Sequence, residues 1–282
     1  MQLQLQSKQL SEDYKSLLLQ AQSLAHSFIS GEHGRKAVGV GHEFWQYRSF
    51  LTGDDSRRID WRQSAKHDHL FLQEKEWETI QKALFVCQET PSFHYRFNRR
   101  TPTKATRAHL LLLALSFILQ KSGEHFSLLG IGDKKFNNND QMIEKIAHHL
   151  EQKTMIENFD NVGKAVPLFF GDFLYELDVL KTQLIHLSNK KNNGYLIQIL
   201  DRSEATFPFK GSIDFENMNT EDTYKINKSE SIRDDYIKRF NAHNDDLKSI
   251  CHEMGFHYLC HFTDEDPHLF LAAFLNQQGE RT

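Results

Sequence analysis

The segments KALFVCQ (Lys82–Gln88), TKATRAHLLLLALSFILQK (Thr103–Lys121) and HFSLLGIGD (His125–Asp133) decide the fold. The first and third are short apolar runs of strand length. The second is apolar almost all round, which predicts a helix buried on several sides. The same alternation continues downstream. NNDQMIEKIAHHLEQ reads as an amphipathic helix opened by capping Asn and Asp residues, VPLFFGDF as a strand, LDVLKTQLIHLSNK as a helix and GYLIQILD as a strand. SESIRDDYIKRFNAHNDDLKSICHEMG reads as a long helix, with Ser231 and Asp234 resembling a capping box and Gly255 as the stop. FHYLCHF is a further strand and PHLFLAAFL a closing helix. Strand–helix alternation of this kind predicts an α/β fold, an open, mostly parallel sheet with helices on both faces.

Two segments stand outside that rhythm. Before Lys82, Tyr14, Leu17, Leu18, Ala21, Leu24, Ala25 and Phe28 recur at helical spacing, a glycine-punctuated stretch follows from Gly31 to Gly41, and LFLQEKEWE alternates as a strand does. Residues 1–80 are thus expected to form an N-terminal helix and β-rich extension, and residues 81–282 the α/β domain. Within the latter, ATFPFKGSIDFENMNTEDTYKIN alternates like a hairpin of edge strands, because Pro208 suits no central strand.

Bulk properties narrow the function. A net charge of −4 gives no global attraction to nucleic acid. With 26% charged and 39% hydrophobic residues the chain reads as globular. Three cysteines form no disulfide framework and suit a reducing compartment. MQLQLQSKQLSEDYK lacks a basic start and an apolar core, so no secretory signal is expected. The most apolar run, Leu110–Leu119, is too short to span a bilayer, which needs about 20 residues. A cytoplasmic protein is expected, without membrane insertion.

Familiar catalytic patterns are missing. The sequence contains neither a G-x-x-x-x-G-K-[ST] loop nor a G-x-S-x-G elbow. CHEMGFHYLCH (Cys251–His261) has Cys and His, but the spacing matches no zinc module, and Cys260 would face away from His257 and His261 on a strand. Two constellations remain. RSFLTGDDSRRIDWRQSAK (Arg48–Lys66) crowds acids and arginines around Gly53. Its acids could serve a metal-dependent hydrolase through Asp54, Asp55 and Asp60, and its arginines could bind nucleic acid. Arginines beside carboxylates lower carboxylate pKa values, which suits ion pairing better than proton transfer. The expected arrangement is a charge network of Arg48, Asp54, Asp55, Arg58 and Asp60 around Gly53, anchored by Trp61, with no catalytic residue. The second constellation is QETPS (Gln88–Ser92), at a strand end where open α/β sheets place ligands. Thr90 and Ser92, with Asp172 from another strand end, could hold Mg²⁺ through oxygens.

YRSFLTGDDSRRIDWRQSA (Tyr47–Ala65), preceded by GHEFWQYRSF and followed by LFLQEKEWE, FGDFL and the late run from TFPFKGSIDFE to HFTDE, resembles the signature of the bacterial "domain of unknown function fifty-eight" (DUF58) family. The resemblance implies a von Willebrand factor A-like α/β domain. It also implies an adaptor role beside MoxR-type AAA+ ATPases and other von Willebrand factor A-like proteins. In the family pattern the first strand ends in D-x-S-x-S, the start of a metal-ion-dependent adhesion site. Here Gln88 stands at the first Asp, Thr90 and Ser92 at the hydroxyl positions and Asp172 at the later Asp, so a degenerate metal site is expected. The charge network carries its own test. Asp60→Ala is expected to leave an unpaired arginine and cost on the order of 3 kcal/mol if the pair is buried, and an unchanged Tm would count against the network.

Overall fold

The structure is a computed structural model, and it describes residues 10–31, 43–49, 64–65, 70–76, 82–131, 137–153, 159, 165–188, 194–216 and 223–279. The chain divides into two compact units, residues 1–25 with 80–267, and residues 26–79 with 268–282. The start of the first helix falls in the first unit, and most of the C-terminal helix falls in the second with residues 26–79.

In chain order the elements are α1 (Glu12–Ser30), β1 (Glu43–Ser49), β2 (Phe71–Glu76), β3 (Lys82–Cys87), a 3₁₀ turn (Pro91–His94), α2 (Lys104–Lys121), β4 (His125–Leu128), α3 (Asp140–Glu151), β5 (Val166–Gly171) and α4 (Leu177–Leu187). There follow β6 (Tyr195–Leu200), α5 (Arg202–Thr206), β7 (Ile213–Glu216), β8 (Thr223–Ile226), a 3₁₀ turn (Ser229–Ile232), α6 (Arg233–Met254), β9 (His257–Phe262) and α7 (Pro267–Gly279).

The larger unit is a von Willebrand factor A-like sheet of five strands in the order β4-β3-β5-β6-β9, parallel at every pairing. Every residue of β5 and β6 is buried, which requires cover on both faces. Strand alternation sorts the cover. Leu84, Val86, Phe169 and Leu196 point to one face, where Leu180, Leu184 and Leu187 of α4 and Leu247, Ile250 and Cys251 of α6 complete the core. Phe85 points to the other and packs edge-on to Phe126 and beside Phe170. Pro167 is tolerated in this central strand because the β5–β6 register begins only at Leu168. The chain leaves β3 for the edge at β4, and β5 returns on the other side, so the sheet reverses between β3 and β5.

Local signals explain most boundaries. Thr103 and Asn139 cap α2 and α3 by accepting from the Thr106 and Met142 amides. Gly255 ends α6 at φ +73°, in the left-handed region a glycine reaches without strain. Two expectations are corrected. Ser231 does not cap α6; it sits in a 3₁₀ turn and its hydroxyl donates to the Lys228 carbonyl. The expected hairpin is confined to β7 and β8: Ala205 and Thr206 end α5, whose capping box joins Asp201 and Glu204, and residues 207–212 are neither helix nor strand.

In the smaller unit β1 and β2 pair antiparallel with a bulge between Phe44 and Gln46. Ser27 Oγ lies 2.8 Å from His268 Nε2 of α7. Among the described residues no helix is long and apolar enough to cross a membrane.

The start of α1 belongs to the larger unit and is tied to it by polar contacts. The Ser11 amide donates to Glu151 (2.9 Å), and the Tyr14 hydroxyl lies 2.8 Å from His109 Nδ1. At the far edge of the sheet, the Arg107 guanidinium donates to the Thr263 carbonyl at 2.7 Å. Beside it His261 is buried, and burial, then the Arg107 charge, lowers its pKa from 6.5 to about 4 against the opposing pull of Glu265, Asp264 and Asp266. The folded state therefore holds a neutral imidazole where the unfolded chain would bind a proton. Its stability is expected to fall as pH drops from 6.5 towards 4, by up to about 3 kcal/mol from this group. Urea denaturation of the wild type and His261→Gln across that window should show a flatter profile in the variant.

Candidate functional site

The site lies where β3, β5 and β6 end, beside the reversal of strand order. There open α/β sheets leave a crevice. Each strand contributes a different polar group. After β3 the chain turns through Thr90, Pro91 and Ser92 into the 3₁₀ turn. After β5, Gly171 leads to Asp172, and Phe173 takes φ +54°. A side chain is strained in that conformation. Here it is held by packing, since Phe173 is fully buried, sits edge-on to Phe169 at 5.0 Å and receives His243 Nε2 on its carbonyl at 2.8 Å. A Cβ on Gly171 would meet the Phe173 ring at 2.9 Å. The turn thus aims Asp172 back across the strand ends.

Thr90, Ser92 and Asp172 converge. Ser92 Oγ donates to Asp172 Oδ2 at 2.7 Å and lies 3.1 Å from Thr90 Oγ1. The same Asp172 oxygen receives Lys104 Nζ at 3.0 Å, and that ammonium also donates to Glu204 Oε1 at 2.6 Å. Lys104 is 0% exposed and Asp172 1%. Tyr95 places its ring 5.8 Å from the ammonium and its hydroxyl 3.0 Å from Ser203. Glu204 is positioned by the α5 capping box, in which its other oxygen accepts the Asp201 amide at 2.8 Å. Burial pushes the Glu204 carboxyl up, and Lys104 and the Asp201 amide pull it part of the way back. Gln198 closes the floor, donating to the Asp172 carbonyl and accepting the Tyr258 hydroxyl.

Gln88 and Glu89 part company as strand alternation requires. Gln88 Oε1 accepts the Tyr175 hydroxyl at 2.7 Å. Glu89 turns to the opposite face, 2.5 Å from His109 Nε2 and 3.1 Å from His94 Nε2. Cys87, Glu89 and His109 present ligand atoms within 4.8 Å of one another. The Glu89–His109 separation is that of a hydrogen bond, however; two ligands of one tetrahedral zinc stand about 3.3 Å apart. Burial, then Glu89, pushes the Cys87 thiol well up, which keeps it protonated. A cavity of about 550 Å³ opens beside this cluster, with His94, His109, Tyr14 and Thr106 in its wall.

The adhesion-type metal can be tested against these residues. With Gln88 engaged by Tyr175, the carboxylate shared by the hydroxyls is Asp172, and its Oδ2 already takes Ser92 and Lys104. Two unit charges about 4 Å apart repel by roughly 4 kcal/mol at an effective dielectric of about 20, and a dication doubles that. The residues do not fit a hydrated Mg²⁺ beside the ammonium.

Other candidate residues are placed as follows. Arg48 lies in β1 with its backbone opposite Leu72. Gly53, Asp54, Asp55, Arg58, Asp60 and Trp61 lie outside the described residues. Cys251 is on the buried face of α6, and Cys260 is exposed while His261 beside it is buried, so the C-terminal Cys and His residues are split apart. Lys104, Glu204 and the Glu89–His109 pair were not anticipated. Their one signal is polarity inside apolar surroundings: Lys104, Arg107 and His109 at the head of a helix that continues with leucine and alanine from Leu110 to Leu115.

A parallel five-stranded sheet flanked by helices, with hydroxyls and a carboxylate at its reversal point, defines a von Willebrand factor A-like domain. The chain belongs to the family described as "Protein of unknown function DUF58", whose model matches residues 46–246. A crystal structure of the conserved hypothetical protein BatB from Bacteroides thetaiotaomicron is similar at 10% identity, covering 71% of this chain and 98% of that one, with a TM-score of 0.35. None of the curated proteins matches.

Asp172 holds both the ammonium and the Ser92 hydroxyl, so its removal strands a buried cation. Asp172→Ala is expected to cost about 3–5 kcal/mol, read as a lower urea midpoint.

Proposed function

We propose that this chain is a non-enzymatic interaction protein, an adaptor for a MoxR-type AAA+ ATPase and for other von Willebrand factor A-like proteins, working in the cytoplasm. Family membership supports the reading. The observation that carries it is the loop between the 3₁₀ turn and α2. Arg96, Phe97, Arg99 and Arg100 are all exposed there, Phe97 by 53%. The loop is nonetheless fastened at both ends. The Phe97 amide donates to Asp201 at 3.1 Å, and the Lys104 amide donates to the Tyr95 carbonyl at 3.3 Å. An ordered rim of arginine around an aromatic side chain is what interface hot spots are made of, and it loses little entropy on docking. Beneath it the polar groups are engaged with one another. Asp172 and Glu204 hold an ammonium, and His109 is bonded at both ring nitrogens. That arrangement supports recognition of an acidic partner face better than proton transfer.

Affinity capture with the tagged chain, with and without ATP, should recover an AAA+ ATPase. Reversing Arg96, Arg99 and Arg100 to glutamate should weaken capture on the order of tenfold or more and remove its salt dependence. Failure to recover any ATPase, even after crosslinking, would sink the adaptor reading.

A further inference from the structure

We propose that the Lys104 ammonium is a built-in cation that takes the place of the divalent ion at the strand-end site, so that the site is closed to metal in the native chain and becomes a metal site when that one side chain is removed.

The geometry supports each half of this statement. The oxygens that an adhesion-type ion would use are gathered here: Asp172 Oδ2, with Ser92 Oγ at 2.7 Å from it and Thr90 Oγ1 at 3.1 Å from Ser92. The ammonium stands 3.0 Å from Asp172 Oδ2 and 2.6 Å from Glu204 Oε1. Hard divalent ions bind oxygens at about 2.0–2.6 Å. A contraction of roughly 0.4–0.7 Å towards Asp172 and at most about 0.3 Å towards Glu204 would therefore turn the ammonium's position into that of a Ca²⁺-sized ion with two carboxylates. Glu204 matters most in this exchange. The sheet brings it from β6 by way of α5, so the charge absent at Gln88 is replaced from a different strand. Lys104 reaches the position from the first residue of α2, and it is completely enclosed. An enclosed ammonium with two carboxylates is not an anchor for a ligand arriving from solvent; its partners are internal.

Removing the side chain to Cβ leaves two carboxylates, two hydroxyls and the space of a butylammonium group. Water can enter that space and complete the shell of an oxygen-loving cation.

The test compares the wild type, Asp172→Asn, Lys104→Ala and the double variant Lys104→Ala/Asp172→Asn in EDTA and in Mn²⁺, by equilibrium dialysis and thermal unfolding. The wild type is expected to take up no Mn²⁺ that depends on Asp172 and to show the same Tm in both buffers. Lys104→Ala should melt lower in EDTA, recover much of the difference in Mn²⁺ and bind one ion per chain. The double variant should lose both the ion and the recovery. If Lys104→Ala does not fold in EDTA, refolding it in Mn²⁺ decides. Return of the wild-type circular dichroism supports the proposal, and failure to return overturns it. Asp172-dependent Mn²⁺ uptake by the wild type, or a folded Lys104→Ala that binds none, would also overturn it.

Discussion

One buried ammonium ties together the ends of the central strands. Lys104 begins α2, Asp172 follows β5, and Glu204 stands on the short helix after β6, yet a single nitrogen bonds to both carboxylates. An ion taken wholly out of water loses several kcal/mol of solvation, which only close and complete pairing recovers. The pairing here is complete because each acid has a second partner: Ser92 on Asp172 and the Asp201 amide on Glu204. The lengths of three loops, the left-handed turn at Phe173 and the capping box of α5 are all conditions for that geometry. A slip in any one of them would leave a charge in the core without its counterpart.

The same requirement shapes the two faces of the sheet end. Neighbouring residues of a strand point in opposite directions, so Gln88 and Glu89 cannot serve one site. Gln88 joins Tyr175 on the α4–α6 side, and Glu89 joins His109 and His94 on the α2 side. The second cluster does different work. Tyr14 of α1 completes it through His109 Nδ1, so the first turn of α1 is held by a histidine whose other nitrogen is fixed by Glu89. Burial, and then Glu89, drives the Tyr14 phenol pKa upward, so Tyr14 keeps its proton beside this acid.

The fold was largely legible because its strands and helices carry clean periods. Six-residue apolar runs such as VPLFFG and YLIQIL, separated by helices, have few readings other than a covered parallel sheet. Boundaries were less legible where two local rules competed. DRSE at 201–204 is a capping box in plain sight, but the alternation of TFPFK just after it favours a strand, and only the packing decides. Ser231 shows the reverse case, a capping pattern that a 3₁₀ turn pre-empts. In the site, Thr90, Ser92 and Asp172 could be paired from sequence because each sits at a strand end. Lys104 and Glu204 could not. A lysine at the head of a helix ordinarily turns its ammonium to water along an apolar stem. What reverses it is a pair of acids distant in sequence, and no window of residues contains all three.

A tethered ammonium and a bound divalent ion are not equivalent solutions to the problem of clustered carboxylates. A metal keeps coordination positions open, so it can accept an oxygen from outside, and its occupancy follows the free ion concentration. A lysine is covalently present in every copy, needs no exogenous ion and directs its three protons only at what surrounds it. In this fold those surroundings are closed, so the ammonium holds loops rather than ligands. Under the proposed adaptor reading, recognition would fall to groups outside the closed network that the network positions without containing. The amides of Phe97 and Lys104 are such links, since they fasten the ends of the arginine-rich loop to the same scaffold. On that same proposed reading, the buried charge would act on docking only through the shape of that loop, and the charge a partner would meet is that of the exposed arginines.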